Sequence, residues 1–206
     1  MNLTGLLQLV APQAAESGYA TYFTRLESDW MTSPHSMDMV RTGMTAILRD
    51  YIGPSEGIAA GIAFRTARAG DIAPFQELMQ LLSTEKLPID LCAASLRTGT
   101  ELWERSRRWE WTGPVHEQLD PLTRPAVHHA AAFGALVSET TANEIRAVAT
   151  YLYRAAQLLI RDAAASLRLD DVAVQHLLCD CQENIAAMVP RFTGCRAADI
   201  AAIAPN

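Results

Sequence analysis

Residues 141–178 read TANEIRAVATYLYRAAQLLIRDAAASLRLDDVAVQHLL, and their reading decides the fold. Apolar residues recur at three- and four-residue spacing, the period of one face of an α-helix. Thr141 stands at the N-cap position, with Glu144 three residues on as its capping-box partner. The predicted helix runs through Leu167. Asp170 or Asp171 caps the next, which reaches about Val189. Working outward, the same spacing continues almost end to end, punctuated by proline and glycine, with no strand-like alternation.

Short helices are expected over Leu3 to Val10 and Gly18 to Trp30. Ser33 and Pro34 open a third, ended by Gly53. Ile58 to Arg68 follows, stopped by Gly70; Asp71 then caps a helix to about Ser83. Leu87 to Trp111 reads as one long helix. The stretch VHEQLDPLTRP is the one substantial loop, after which Pro125 opens a helix through Val137. A short helical tail, AADIAAI, finishes the chain. The expectation is an all-α, single-domain bundle of about ten helices spanning residues 1–206, without internal repeats.

Composition narrows the function classes. The chain has 206 residues, 50% of them apolar and 19% charged, as suits a globular protein with a core. A net charge of −6 argues against a nucleic-acid-binding surface. Nothing approaches the roughly 18–20 uninterrupted apolar residues of a membrane span, so no membrane association is expected. The N-terminus lacks a secretory signature. Four cysteines, Cys92, Cys179, Cys181 and Cys195, do not make a disulfide scaffold in a chain of this length, which points to a cytoplasmic location.

Four clusters invite a chemical reading. HLLCDCQEN, from His176 to Asn184, gathers metal-ligand types. At about 100° per residue, His176 and Cys179 share a helix face while Cys181 lies about 200° from Cys179. A closed zinc site needs more ligands than this face supplies, so packing is the expected role. His128 and His129 point about 100° apart on a helix, with one expected to be buried and hydrogen-bonded and the other at the rim. Met31, Met37, Met39 and Met44 surround His35, but their spacing suits a methionine-rich core or docking face better than copper(I) ligation. RSRRWEW, Arg105 to Trp111, fits a helix end whose arginines face the C-terminal dipole. No phosphate loop, nucleophile elbow or metalloprotease motif occurs. Neither an enzyme nor a resident metal or cofactor is therefore expected.

Several stretches, taken in order, resemble the urease accessory protein F family. LLQLVAP followed by SGYATYFTRLESDW is similar to its opening, with Gly18, Leu26 and Glu27 matching. ARAGDIAPFQELMQLL, AASLRTGTEL with Ser95 and Gly99, and HHAAAFGALVSE with His128, Phe133, Gly134 and Ala135 follow. YLYRAAQLLIRDAAASLRLDDVAVQHLL matches the family's Tyr-Leu-Tyr helix, and ADIAAI its closing segment. The chain departs where Arg168, Leu169, Asp170 and Asp171 replace Pro-Leu-Gly-Gln, and where Ala204, Pro205 and Asn206 replace a polar C-terminal tail.

The resemblance implies a non-catalytic component of a metallochaperone complex, assisting nickel insertion into urease or a related metalloenzyme apoprotein. It implies a homodimer that binds a urease accessory scaffold protein and a urease accessory GTPase. Partner-binding positions would be Tyr19, Tyr22, Glu27, His128, Tyr151, Asp170 and Asp171. Two alternatives stay open: a helical metal- or small-molecule-binding protein using His35, the methionines or His128, and a degenerate paralogue regulating an orthodox homologue.

Overall fold

The computed structural model describes residues 37–87, 89–109, 117 and 126–202. The expected helices over 3–10 and 18–30, the Ser33–Pro34 start, and most of the 115–125 loop with Pro125 lie outside them. So do Met31, His35, Glu110, Trp111 and the final residues from Ile203.

The described residues are helical and contain no strand, as the apolar spacing predicts. Helix α1 (Met37–Ile47) passes through a widened π-type segment (Leu48–Gly57) directly into α2 (Ile58–Ala69). Helix α3 (Ile72–Leu81) carries on through a second wide turn to Lys86. Then come α4 (Ile89–Ser106), α5 (His129–Val137), α6 (Glu144–Leu167) and α7 (Asp171–Met188). The C-terminal strap, residues 189–202, holds two short 3₁₀ turns.

Among the described residues this makes six continuous helical runs, against the ten helices expected for the whole chain. One reason is local. Gly53 and Pro54 do not end a helix. A proline ring collides with the carbonyl four residues back in a regular α-helix, and widening the turn makes room for it. Ile58 N–H reaches back to the Gly53 carbonyl, and the Ser55 hydroxyl donates to Tyr51 O at 2.5 Å. The apparent stop is a change of pitch.

Caps elsewhere follow the side chains available. Asp71 accepts from Ala73 N at 3.2 Å and opens α3, and Gly70 closes α2 in the left-handed region at φ 68°. Asp170, not Asp171, caps α7, accepting from Ala173 N at 2.8 Å. At the start of α6 the cap is Asn143, which accepts from Arg146 N at 3.2 Å. Thr141 sits two residues too early, and its hydroxyl accepts from Asn143 N instead. Arg168 ends α6 with φ 54°, a conformation glycine takes more cheaply.

Helix α5 is the centre of the bundle: all nine of its residues are buried. Helices α2, α4 and α6 surround it. Its sequence HAAAFGALV has no polar face, as a helix enclosed on every side requires. Close approach depends on two glycines. A Cβ on Gly134 would overlap the backbone of Ala60 in α2, and one on Gly99 would overlap the backbone of Val127 and His128. Trp103, Tyr151, Phe75 and Phe133 fill the volume around these crossings.

Candidate functional site

The polar residues that looked chemical in the sequence separate into an interior seam and an outer helix. The seam begins at residues 126–128, which enter α5 in extended backbone. His128 is therefore not on a face of α5 but just ahead of it, and its ring points between α3's extension and α4. Its Nε2 lies 2.9 Å from Ser83 Oγ and its Nδ1 3.2 Å from Ser95 Oγ. Ser95 Oγ also accepts the backbone N–H of His129 at 3.2 Å. The Ser95 proton is then available to His128 Nδ1, which leaves Nε2–H to donate to Ser83.

His129 turns the other way. Its Nδ1 is 3.3 Å from the Tyr151 hydroxyl, which donates to Glu56 Oε2 at 2.9 Å. A phenol has one proton, and here the carboxylate takes it, so the Tyr151 oxygen accepts from His129 Nδ1–H. The His129 ring stacks obliquely on Tyr151 at 5.5 Å, and Phe133 meets the same tyrosine edge-on at 5.3 Å. The seam thus joins the wide turn, α3's extension, α4, α5 and α6.

Both histidines are buried, at 0% and 4% exposure, and neither sits at a rim. Burial pushes each down to about 4; for His129 the positive charge of Arg154 adds to the effect. They are neutral hydrogen-bonding groups at neutral pH.

The outer helix is α7. His176 and Cys179 face solvent, while Cys181 is 3% exposed and packs in the core. Burial, with the neighbouring Asp180 carboxylate, pushes the Cys181 thiol up to about 11. Asp180 is engaged across the bundle by Arg41 Nε at 2.5 Å, and Asn184 donates to Thr45 at 3.1 Å. Among the described residues no three histidine, cysteine or acidic side chains converge as a metal site. Met44 is fully buried, Met37 packs at the core edge and Met39 is 37% exposed.

Of the seven positions the resemblance marks for partners, Tyr19, Tyr22 and Glu27 lie outside the described residues. His128 and Tyr151 lie inside the fold, with Tyr151 1% exposed. Asp170 and Asp171 are exposed at the start of α7, beside Val172 at 64%. Tyr151 lies roughly 24 Å from the far end of α6, at 1.5 Å per residue, so these positions form no single cluster.

Glu144, read from the sequence as a capping-box member, has another task. Arg65 binds its carboxylate, and Gly194 N–H donates to it at 2.9 Å. Arg65 also donates to the Cys195 carbonyl, which ties α2, α6 and the strap together. A glutamate at the first turn of a helix suits a cap and a distant clamp equally well, so sequence spacing alone does not reveal the second.

With this geometry in place, comparison with known proteins is decisive: the UreF family profile matches residues 35–182, from just before α1 into α7. This chain belongs to the UreF family. It is also 28% identical, over 162 residues, to the urease accessory protein UreF of Arthrobacter sp. (strain FB24), covering 77% of this chain and 71% of that one. The UreF match spans the wide turn, the seam and both crossing glycines, and ends ahead of the strap.

Proposed function

We propose that this UreF-family chain is a non-catalytic accessory protein of urease maturation. In this reading it works in the cytoplasm as a homodimer, docks a urease accessory scaffold protein and a urease accessory GTPase, and assists nickel insertion into urease or a related metalloenzyme. The observation that carries the reading is the family match over the helical body from α1 into α7. The disposition of polar groups supports it: the seam spends its histidines, serines and tyrosine on one another, and the exposed side chains are left for contact with other proteins. On that basis Asp170 and Asp171 are contact candidates, and the family resemblance adds Tyr19, Tyr22 and Glu27. His128 and Tyr151 contribute by holding the frame.

The test is deletion of the gene in its native host, with urease activity and nickel content measured at limiting nickel. Activity and nickel should fall together and return with the wild-type gene. A tagged chain should co-purify the scaffold and the GTPase, and Asp170→Ala/Asp171→Ala should weaken that recovery without lowering its melting temperature by more than a few degrees. A deletion strain whose urease and other nickel enzymes remain fully loaded overturns the proposal.

A further inference from the structure

The strap meets the first of the two wide turns, Leu48–Gly57. Phe192, 4% exposed, lays its ring against Gly53, where a Cβ would overlap it. Ala201 N–H donates to the Pro54 carbonyl at 2.9 Å, and Ile200 is buried beside it. Both contacts fall inside the wide turn. A third fixes the strap from a distance: Glu144 and Arg65 hold Gly194 and Cys195, with Gly194 at φ 70° carrying the chain around.

The wide turn in turn places two things. It sets the direction of α1, which is pinned to α7 through Arg41–Asp180 and Thr45–Asn184. It also projects Arg49, Asp50 and Tyr51 into solvent, with Tyr51 45% exposed. Arg49 pairs with Asp50 at 2.6 Å, and the positive charge of the strap's Arg191 helps hold the Asp50 carboxyl below its ordinary range. The strap's Arg191 therefore acts on the exposed edge through its charge, after the larger effect of the Arg49 hydrogen bond.

We propose that residues 189–202 act as a latch on the wide turn, fixing its pitch and so the position of α1 and of the Arg49–Asp50–Tyr51 edge. A helix with a proline at Pro54 has two ways to relieve the collision, a widened turn or a kink. The Phe192 ring and the Ala201 hydrogen bond select the first, and the Arg65–Glu144 clamp keeps the latch closed. Any partner that grips the strap then moves the Arg49–Asp50–Tyr51 edge. The inference stands on the fold alone and holds whether or not the urease reading does.

Hydrogen exchange on the full chain tests it, comparing wild type with Glu144→Ala, which opens the clamp without altering a residue of the turn. Amides in 48–57 should exchange about tenfold faster or more, as local opening does, with α1 following. Amides in α4 and α5 should keep their wild-type rates. Ala201→Pro, which removes one donor and suits the extended backbone at Ile200, is the second variant and should give the same pattern. It also decides the matter if Glu144→Ala does not fold. Unchanged exchange in 48–57, or equal acceleration of every helix, overturns the latch.

Discussion

Residues 128–129 lie between α4 and α6 with almost no exposed surface, whereas His176 and Cys179 lie open on the outer face of α7. As sequence, the two runs look equally chemical. Their fates are set by the elements that carry them. HAAAFGALV has no polar side, so whatever precedes it is drawn into the core and must find partners there. DVAVQHLLCDCQENIAAM buries only Leu177, Cys181, Ile185 and Met188, at roughly helical spacing, and leaves its other ligand-type side chains half or fully exposed. The lesson is that a histidine's neighbours at three and four residues say more than its adjacent ones.

The contrast breaks most visibly at Phe133. This ring packs against Tyr151 at the centre of the seam, and Phe133→Ala should cost about 3–5 kcal/mol. Denaturant unfolding measures it. A loss under 1 kcal/mol, on the order of a surface change, would mean α5 is not the centre of the bundle.

Acid should come next. Both seam histidines have folded values of about 4, below the ordinary 6.5. Between those limits the unfolded chain binds more protons than the folded one, so stability falls as pH drops from about 6.5 towards 4 and is flat above about 7 for these groups. Each histidine contributes on the order of 3 kcal/mol to that fall at most. Unfolding titrations of wild type and His128→Gln should show the slope shrinking in the variant; an unchanged slope places His128 in water.

Tyr151→Phe sharpens the picture inside the seam. It leaves Glu56 and His129 each one hydrogen bond short in the interior, at a cost of about 1–3 kcal/mol. Helical content by circular dichroism should stay as in wild type, because the ring and its contact with Phe133 remain. A neutral result would show that water or another group already satisfies both.

How much of this was legible follows the same division. Helix class, the Asp71 cap and the Gly70 stop were readable because each depends on residues within one turn. The wide turn was not: Gly53 and Pro54 carry a strong local stop signal, and what overrides it is Phe192 and Ala201, nearly 140 positions away or more. Asn143 outcompeted Thr141 for the cap because Glu144 is drawn off to Arg65 and Gly194. One of His128 and His129 was legible as buried and hydrogen-bonded, but not that both are, since the serines and the tyrosine that satisfy them come from distant segments. Long-range partners, not local propensity, account for each difference.

The smallest expected effect is on α7, and it bears hardest on the contrast. His176→Ala and Cys179→Ser alter exposed side chains and should each change stability by less than about 0.5 kcal/mol. Cys181→Ser, two positions on, trades a buried thiol for a hydroxyl and should cost about 1–3 kcal/mol. The difference between the two cysteines is a cleaner readout than either alone, because both changes remove one sulfur from the same helix. Equal costs would mean that α7 is rotated about its axis from the orientation in which Leu177, Cys181 and Ile185 face inward. That rotation would carry Asp180 away from Arg41, so a double-mutant cycle on Arg41 and Asp180 showing no coupling would confirm the fault independently.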